Sequence, residues 1–145
     1  FASMSVVIPV PVGFGWVVVT GAASILTAVF LGRRVEAARK KYGVEYPNMY
    51  DNSKPLFNAA QRGHQNMLES HYAFLWTMTI AGLKHPIGAS VCGGFWTLGR
   101  IIYALGYESG DPKKRLFGTA ILAPAYIACS GFLFSFAGSM LGYLD

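Results

Sequence analysis

The stretch "VPVGFGWVVVTGAASILTAVFLG", residues 10–32, contains no charged side chain. About 20 apolar residues in a helix cross a hydrocarbon core of about 30 Å, so this stretch predicts a membrane-spanning helix. The composition around it agrees, because 53% of the 145 residues are hydrophobic and only 13% are charged. A soluble domain normally carries about 25% charged residues. The sequence therefore predicts an integral membrane protein whose helices satisfy their own backbone hydrogen bonds.

Three further helices are predicted downstream of this stretch. The second is polar in its first half and apolar in its second, and it ends at "KHP" because proline interrupts a helix. The third is uncharged apart from Arg100 until the turn "ESGDP", and the fourth carries charge only at its start. We expect one domain over residues 1–145, an all-α, integral membrane bundle of four transmembrane helices in up-down order. The predicted helices span residues 10–40, 54–83, 86–108 and 112–143.

Basic residues are concentrated in the first and third connections, which an up-down bundle places at the same end, whereas the second connection has only Lys84. The positive-inside tendency predicts that this end is cytosolic and that both termini lie on the other face. Basic residues beside a membrane usually set topology or bind anionic lipid, so we expect membrane lipid and no nucleic acid as a partner. The cations are Arg33, Arg34, Arg39, Lys40, Lys41, Lys54, Lys113, Lys114 and Arg115.

The segment "RGHQNMLES", residues 62–70, brings polar side chains into the second helix. An ion inside the membrane costs about 2.5 kcal/mol or more, so ionisable residues there indicate a functional site by default. Helical spacing places these side chains on one side, and it likewise groups polar side chains of the third helix. With a cation at the end of the first helix and another at the start of the fourth, they predict a polar pocket that opens to the cytosolic end. Its residues are Arg62, Gln65, Asn66 and Glu69, then Arg100, Tyr103 and Tyr107, then Arg39 and Arg115.

Each part of this pocket has a simpler interpretation. Arg62 and Glu69 could neutralise each other inside the bundle, and the two tyrosines could belong to an interfacial aromatic belt. Arg39 and the lysines after it could be topological signals alone. His64 and His71 lie seven residues apart, but no third ligand has metal-binding spacing, so no metal is expected.

Three segments together resemble a known family. They are "ARKKYGVEYPNMY" (38–50), "FNAAQRGHQNMLES" (57–70) and "LGRIIYALGYESGDPKKRLFG" (98–118). They are similar to the type 3 microsomal glutathione S-transferases, a branch of the membrane-associated proteins in eicosanoid and glutathione metabolism. The resemblance runs from the end of the first helix to the start of the fourth.

The resemblance implies a homotrimer that binds glutathione, in a bent form, between neighbouring subunits on the cytosolic side. It implies that Arg115 stabilises the glutathione thiolate and that Arg39 lies at the pocket mouth. It implies glutathione contacts from Arg62, Asn66, Glu69, Tyr103 and Tyr107, and Gln65 and Arg100 are further candidates in the predicted pocket. Two departures leave alternatives open. After Glu69 this chain has "SHYAF", so either Ser70 or Tyr72 could be a contact, and a longer connection before Arg115 makes Lys114 an alternative cation.

The chemistry of glutathione explains these residue types. It carries two carboxylates, one ammonium and a thiol, so Arg62 and Arg39 suit the carboxylates and Glu69 suits the ammonium. Asn66 and the tyrosine hydroxyls can hold peptide groups. Only the thiolate is a good nucleophile, and its reference pKa is about 8.5. Lowering that pKa by about two units requires about 2.7 kcal/mol, which a desolvated Arg115 can supply.

The expected function is a membrane glutathione transferase acting on lipophilic electrophiles that enter from the bilayer. Glutathione peroxidase activity toward lipid hydroperoxides is expected as a second reaction, and leukotriene C4 synthase-like conjugation is compatible with the same site. The expected location is the endoplasmic reticulum or the mitochondrial outer membrane. The alternative is a non-catalytic lipid-binding protein, or an accessory subunit of a larger membrane complex.

Overall fold

The computed structural model describes residues 10–144 and contains four α-helices, as the sequence predicts. The first begins at Phe14 rather than at residue 10, because Gly13 before it has a φ of 90°. The fourth begins at Arg115, because Pro112–Lys114 forms a separate 3-10 turn. The helices are α1 (Phe14–Tyr42), α2 (Pro55–Ala81), α3 (Pro86–Glu108) and α4 (Arg115–Met140).

Proline and glycine set most of the helix ends. Pro55 and Pro86 occupy the first positions of α2 and α3, where a backbone N–H would have no helical partner. Gly43 ends α1 with a φ of 66°, and its N–H donates to the carbonyl of Arg39. Pro124 lies inside α4, and the helix continues through it.

The helices run up and down, so α1 and α3 end where α2 and α4 begin. An ion pair between Arg34 of α1 and Glu108 of α3 joins elements at this end, which also carries most of the cations and is called the basic end. At the opposite end, the His85 ring lies 2.9 Å from the Ser135 hydroxyl of α4. Both α1 and α4 pack against α2 and α3, and the most extensive contact is between α3 and α4.

The core combines large apolar side chains with close backbone packing. The Phe74 and Trp96 rings stack with their centroids 3.8 Å apart, and both side chains are buried. Between α3 and α4 the backbones meet at glycines, since a Cβ on Gly118 would overlap the backbone of Tyr103 and Gly99. Small residues that bring helices this close are typical of membrane bundles.

Two helices of the described part of the chain are long and apolar enough to cross a membrane: Phe14–Tyr42, and the segment Pro112–Met140 that includes α4. Few side chains on these helices are buried, and large apolar residues such as Leu26, Ile127 and Phe134 are exposed. An apolar outer surface of this extent suits lipid rather than water. Four transmembrane helices are predicted from the sequence, and α2 and α3 do not reach the same length and hydropathy; they carry most of the polar residues of the site.

Candidate functional site

An ion pair of α2 faces outward from the four-helix bundle. Arg62 Nη1 lies 2.8 Å from Glu69 Oε1, and the two side chains keep 43% and 47% of their surface exposed. Glu69 is near the middle of α2, about 20 Å from either end at 1.5 Å per residue. A charged pair in this position would be unfavourable against lipid, and a polar ligand or another chain against it would remove that cost.

Arg100 of α3 hydrogen-bonds to polar side chains of α2 on the side of α2 that faces the bundle interior. Its side chain is buried, and it donates from Nη1 to Asn66 Oδ1 at 2.7 Å and from Nη2 to Ser70 Oγ at 2.5 Å. Its guanidinium carbon lies 4.9 Å from the centroid of the Trp96 ring. Because the Asn66 carbonyl oxygen already accepts from Arg100, the two N–H groups of the Asn66 amide remain as donors.

A third group lies where α3 ends and α4 begins. Arg115 Nη1 donates to the Tyr107 hydroxyl, and the guanidinium carbon lies 5.0 Å from the centroid of the same ring. The Tyr103 and Tyr107 rings are 5.6 Å apart. The structure thus brings together three of the predicted residues. The Lys114 side chain is exposed one residue before α4, and its backbone N–H donates to the Asp111 carbonyl.

A cavity of about 550 Å³ contacts one residue of the first group and one of the third, and neither Glu69 nor Arg115 lines it. Arg62 and Tyr107 line it from α2 and α3, and Tyr50 and Asn58 contribute from the α1–α2 connection and the first turn of α2. Binding sites for small molecules commonly have volumes of about 300–1,000 Å³. The wall is mainly apolar, and four polar side chains interrupt it, so the cavity suits a small ligand that carries both apolar and polar groups.

Arg39 is buried at the end of α1 and contacts the connection that follows. Its Nη1 donates to the carbonyls of Val44 at 3.1 Å and Asn48 at 2.8 Å. The guanidinium lies between the Tyr46 and Phe57 rings, with its carbon 4.2 Å and 4.9 Å from their centroids. Arg39 therefore orders the α1–α2 connection, and its contact with a ligand stays a prediction.

Sequence reasoning missed one contact of the site and one ion pair at the same end, and it left a second contact of the site undecided. The Tyr50 hydroxyl donates to Gln65 Oε1 at 2.8 Å, so this residue of the connection contacts the polar side of α2. The Arg34–Glu108 ion pair was also missed, because its partners belong to helices distant in sequence. Ser70 was an open alternative, and its position four residues after Asn66 was a usable signal.

The two helical histidines of α2 contact α1. A ring nitrogen of His71 lies 2.9 Å from the Ser24 hydroxyl, and His64 hydrogen-bonds to the backbone of Ala28. Within residues 10–144, no group of three metal-binding side chains is present. The histidines thus have partners at the α1–α2 interface.

The conserved pattern of a known family matches residues 17–135, from the first turn of α1 to the last third of α4. The chain belongs to the MAPEG family. A relative of this MAPEG protein, an uncharacterized protein from Synechocystis, is 34% identical over 109 residues, which are 73% of this chain and 76% of the relative. Family membership agrees with the two apolar helices and indicates a membrane protein. It is compatible with a function in glutathione or eicosanoid metabolism, since the family includes glutathione transferases and peroxidases.

Proposed function

We propose that this MAPEG protein is a membrane glutathione transferase of the type 3 microsomal kind. It conjugates the glutathione thiolate to lipophilic electrophiles that arrive through the bilayer. The observation that carries the proposal is the outward-facing Arg62–Glu69 ion pair beside a cavity of about 550 Å³. Neither charge is favourable against lipid, and both suit a ligand that carries charges of both signs.

The γ-glutamyl end of glutathione is complementary to this pair. It holds a carboxylate and an ammonium group on one carbon atom. The Arg62 guanidinium can grip the carboxylate through two hydrogen bonds, and the Glu69 carboxylate can accept from the ammonium. When no such ligand is bound, the two side chains neutralise each other. Asn66, held by Arg100, can offer its amide donors to a peptide carbonyl.

Arg115 and Tyr107 form the part of the site proposed to act on sulfur. A guanidinium and a phenol hydroxyl that already contact each other present a cation and a hydrogen-bond donor to a thiolate. Both groups stabilise the thiolate more than the neutral thiol, so they lower the pKa of the bound thiol. The thiolate then attacks an electrophilic carbon and displaces the leaving group. With a lipid hydroperoxide, it attacks the terminal oxygen and releases the alcohol, and a second glutathione then gives the disulfide and water.

The proposed assembly is a homotrimer with glutathione between neighbouring subunits. The exposed fraction of Arg62 and Glu69 supports this, because a neighbouring subunit would remove the pair from lipid. The basic end is proposed to face the cytosol, in the endoplasmic reticulum or the mitochondrial outer membrane. Native mass spectrometry in mild detergent should give three chains per particle.

Calorimetric titration of the detergent-solubilised protein with reduced glutathione tests the proposed ligand. We expect measurable binding heat, and we expect Arg62→Ala to weaken the affinity about tenfold or more, since it removes a charge-assisted contact. Arg33→Ala is the matched control, because Arg33 is an exposed cation of α1 near the same end. A wild-type protein that gives no binding heat would contradict the proposal.

The competing function is a non-catalytic lipid-binding protein or an accessory subunit of a larger membrane complex. One observation favours it: Arg62 and Glu69 already pair with each other, as a purely structural pair would. Absence of glutathione binding, with the fold intact, would assign the chain to that class.

A further inference from the structure

We infer that Tyr50 is a further glutathione-binding residue, which donates its hydroxyl hydrogen to the γ-glutamyl carboxylate held by Arg62. This inference rests on the proposed function. Tyr50 belongs to the α1–α2 connection, outside every helix, and it lines the same cavity as Arg62 and Tyr107. Its hydroxyl lies 2.8 Å from Gln65 Oε1, one helical turn after Arg62.

Two sets of hydrogen bonds fix the connection on either side of Tyr50. Before it, the buried Arg39 donates to the carbonyls of Val44 and Asn48. After it, the backbone N–H of Asp51 donates to Asn58 Oδ1, and Asn58 Nδ2 donates back to the Asp51 carbonyl, both at 2.9 Å. The reciprocal pair ties the connection to the first turn of α2. Tyr50 is therefore held in place before a ligand arrives, which lowers the entropy lost on binding.

The chemistry of a carboxylate gives this hydroxyl a partner. A carboxylate has about four acceptor positions, and a bidentate guanidinium occupies two of them. A phenol adjacent to that guanidinium can donate to a third. Binding would exchange the hydrogen bond from Tyr50 to the neutral Gln65 amide for one to a charged acceptor. Hydrogen bonds to charged groups are roughly twice as strong as neutral ones, so the exchange is favourable.

Tyr50→Phe tests the inference, because it removes the hydroxyl and keeps the ring. We expect the Kd and the KM for glutathione to rise about tenfold, with kcat within about twofold, since the contact is made equally in the ground and transition states. Tyr42→Phe is the matched control, because Tyr42 lies at the same end but lines a separate cavity beside Arg34 and Glu108. Thermal unfolding of both variants should match that of the wild-type protein.

A truncated substrate separates a direct contact from a loosened connection. Cysteinylglycine keeps the thiol and lacks the γ-glutamyl carboxylate. The ratio of wild-type to Tyr50→Phe kcat/KM should be about ten for glutathione and about one for cysteinylglycine. Equal ratios for the two thiols would overturn the inference, because a loosened connection would affect both.

The outcomes also distinguish this inference from the proposed function. A wild-type protein that binds no glutathione contradicts both. A wild-type protein that binds glutathione, with Tyr50→Phe binding it equally well, overturns the role of Tyr50 and leaves the proposed function standing.

Discussion

The seam between α3 and α4 and the polar side of α2 are built in opposite ways. In the seam, defined by Gly99, Tyr103 and Gly118, the two backbones are in contact and no space remains for a methyl group. On the polar side of α2, charged side chains reach outward, and Arg62 and Glu69 are each more than two-fifths exposed. The seam is held by close packing of the two helices, whereas the polar side of α2 interacts with its surroundings through charge.

This difference separates the fold from the proposed chemistry. Two helices whose backbones are in contact cannot shift relative to each other without a clash. The seam therefore fixes α4 against α3, and with it Arg115 against Tyr107. Long charged side chains can exchange partners at low energetic cost, so the polar side of α2 can open its ion pair for a ligand. We expect substitutions in the seam to act on stability, and substitutions on the polar side of α2 to act on glutathione binding.

The largest effect is expected from Gly118→Ala. The added Cβ would overlap the backbone of Tyr103 and Gly99, so the helices must separate. Overpacking of this kind costs about 3 kcal/mol, and we expect the melting temperature in detergent to fall by about 10 °C. The matched control is Gly131→Ala in the same helix, where an added Cβ meets no atom of another described element within 4 Å. Equal melting temperatures for the two variants would contradict the prediction, because they would show that α3 and α4 accept an added methyl group without a loss of stability.

The second effect concerns the direction of the α2 ion pair. The double variant Arg62→Glu with Glu69→Arg keeps an ion pair at the same positions but reverses its charges. We expect its stability to change by less than about 1 kcal/mol, because the double variant keeps an ion pair between the same two positions. Glutathione affinity should fall more than about thirtyfold, since both charges of the γ-glutamyl end would meet like charges. Calorimetry and thermal unfolding measure the two quantities, and retained affinity would support the structural interpretation of the pair.

The third effect concerns Arg115 and the sulfur. Arg115→Ala should leave the Kd for glutathione within a few-fold but remove the ultraviolet absorbance of the bound thiolate at neutral pH. The conjugation rate at neutral pH should fall about tenfold and recover in part as the pH rises toward the thiol pKa of about 8.5, because solution then supplies the anion.

Lys114→Ala is the matched control for that measurement, because Lys114 is an exposed cation one residue earlier. It should keep both the thiolate absorbance and the rate. If Arg115→Ala keeps them while Lys114→Ala loses them, thiolate stabilisation belongs to Lys114.

The polar residues of α2 and α3 could be selected from the sequence, but their partners could not. Helical spacing placed Arg62, Asn66 and Glu69 on one side of α2, because the positions of neighbouring turns follow from 3.6 residues per turn. It did not show that Asn66 turns inward to Arg100 while Arg62 and Glu69 pair outside. That division depends on how α2 is rotated against α3, which only the packing of the two helices sets.

The sequence by itself determined the four helices, the end of the bundle that carries the cations, and the residue types of the candidate site. These properties are local, because hydropathy, proline and glycine positions, and helical periodicity are all set within about 25 residues. Only the tertiary structure decided that Tyr50 reaches Gln65, that Arg39 holds the connection before it, and that glycines bring α4 against α3. These contacts join residues through the path of an irregular connection or across two helix surfaces, and no local pattern encodes either one.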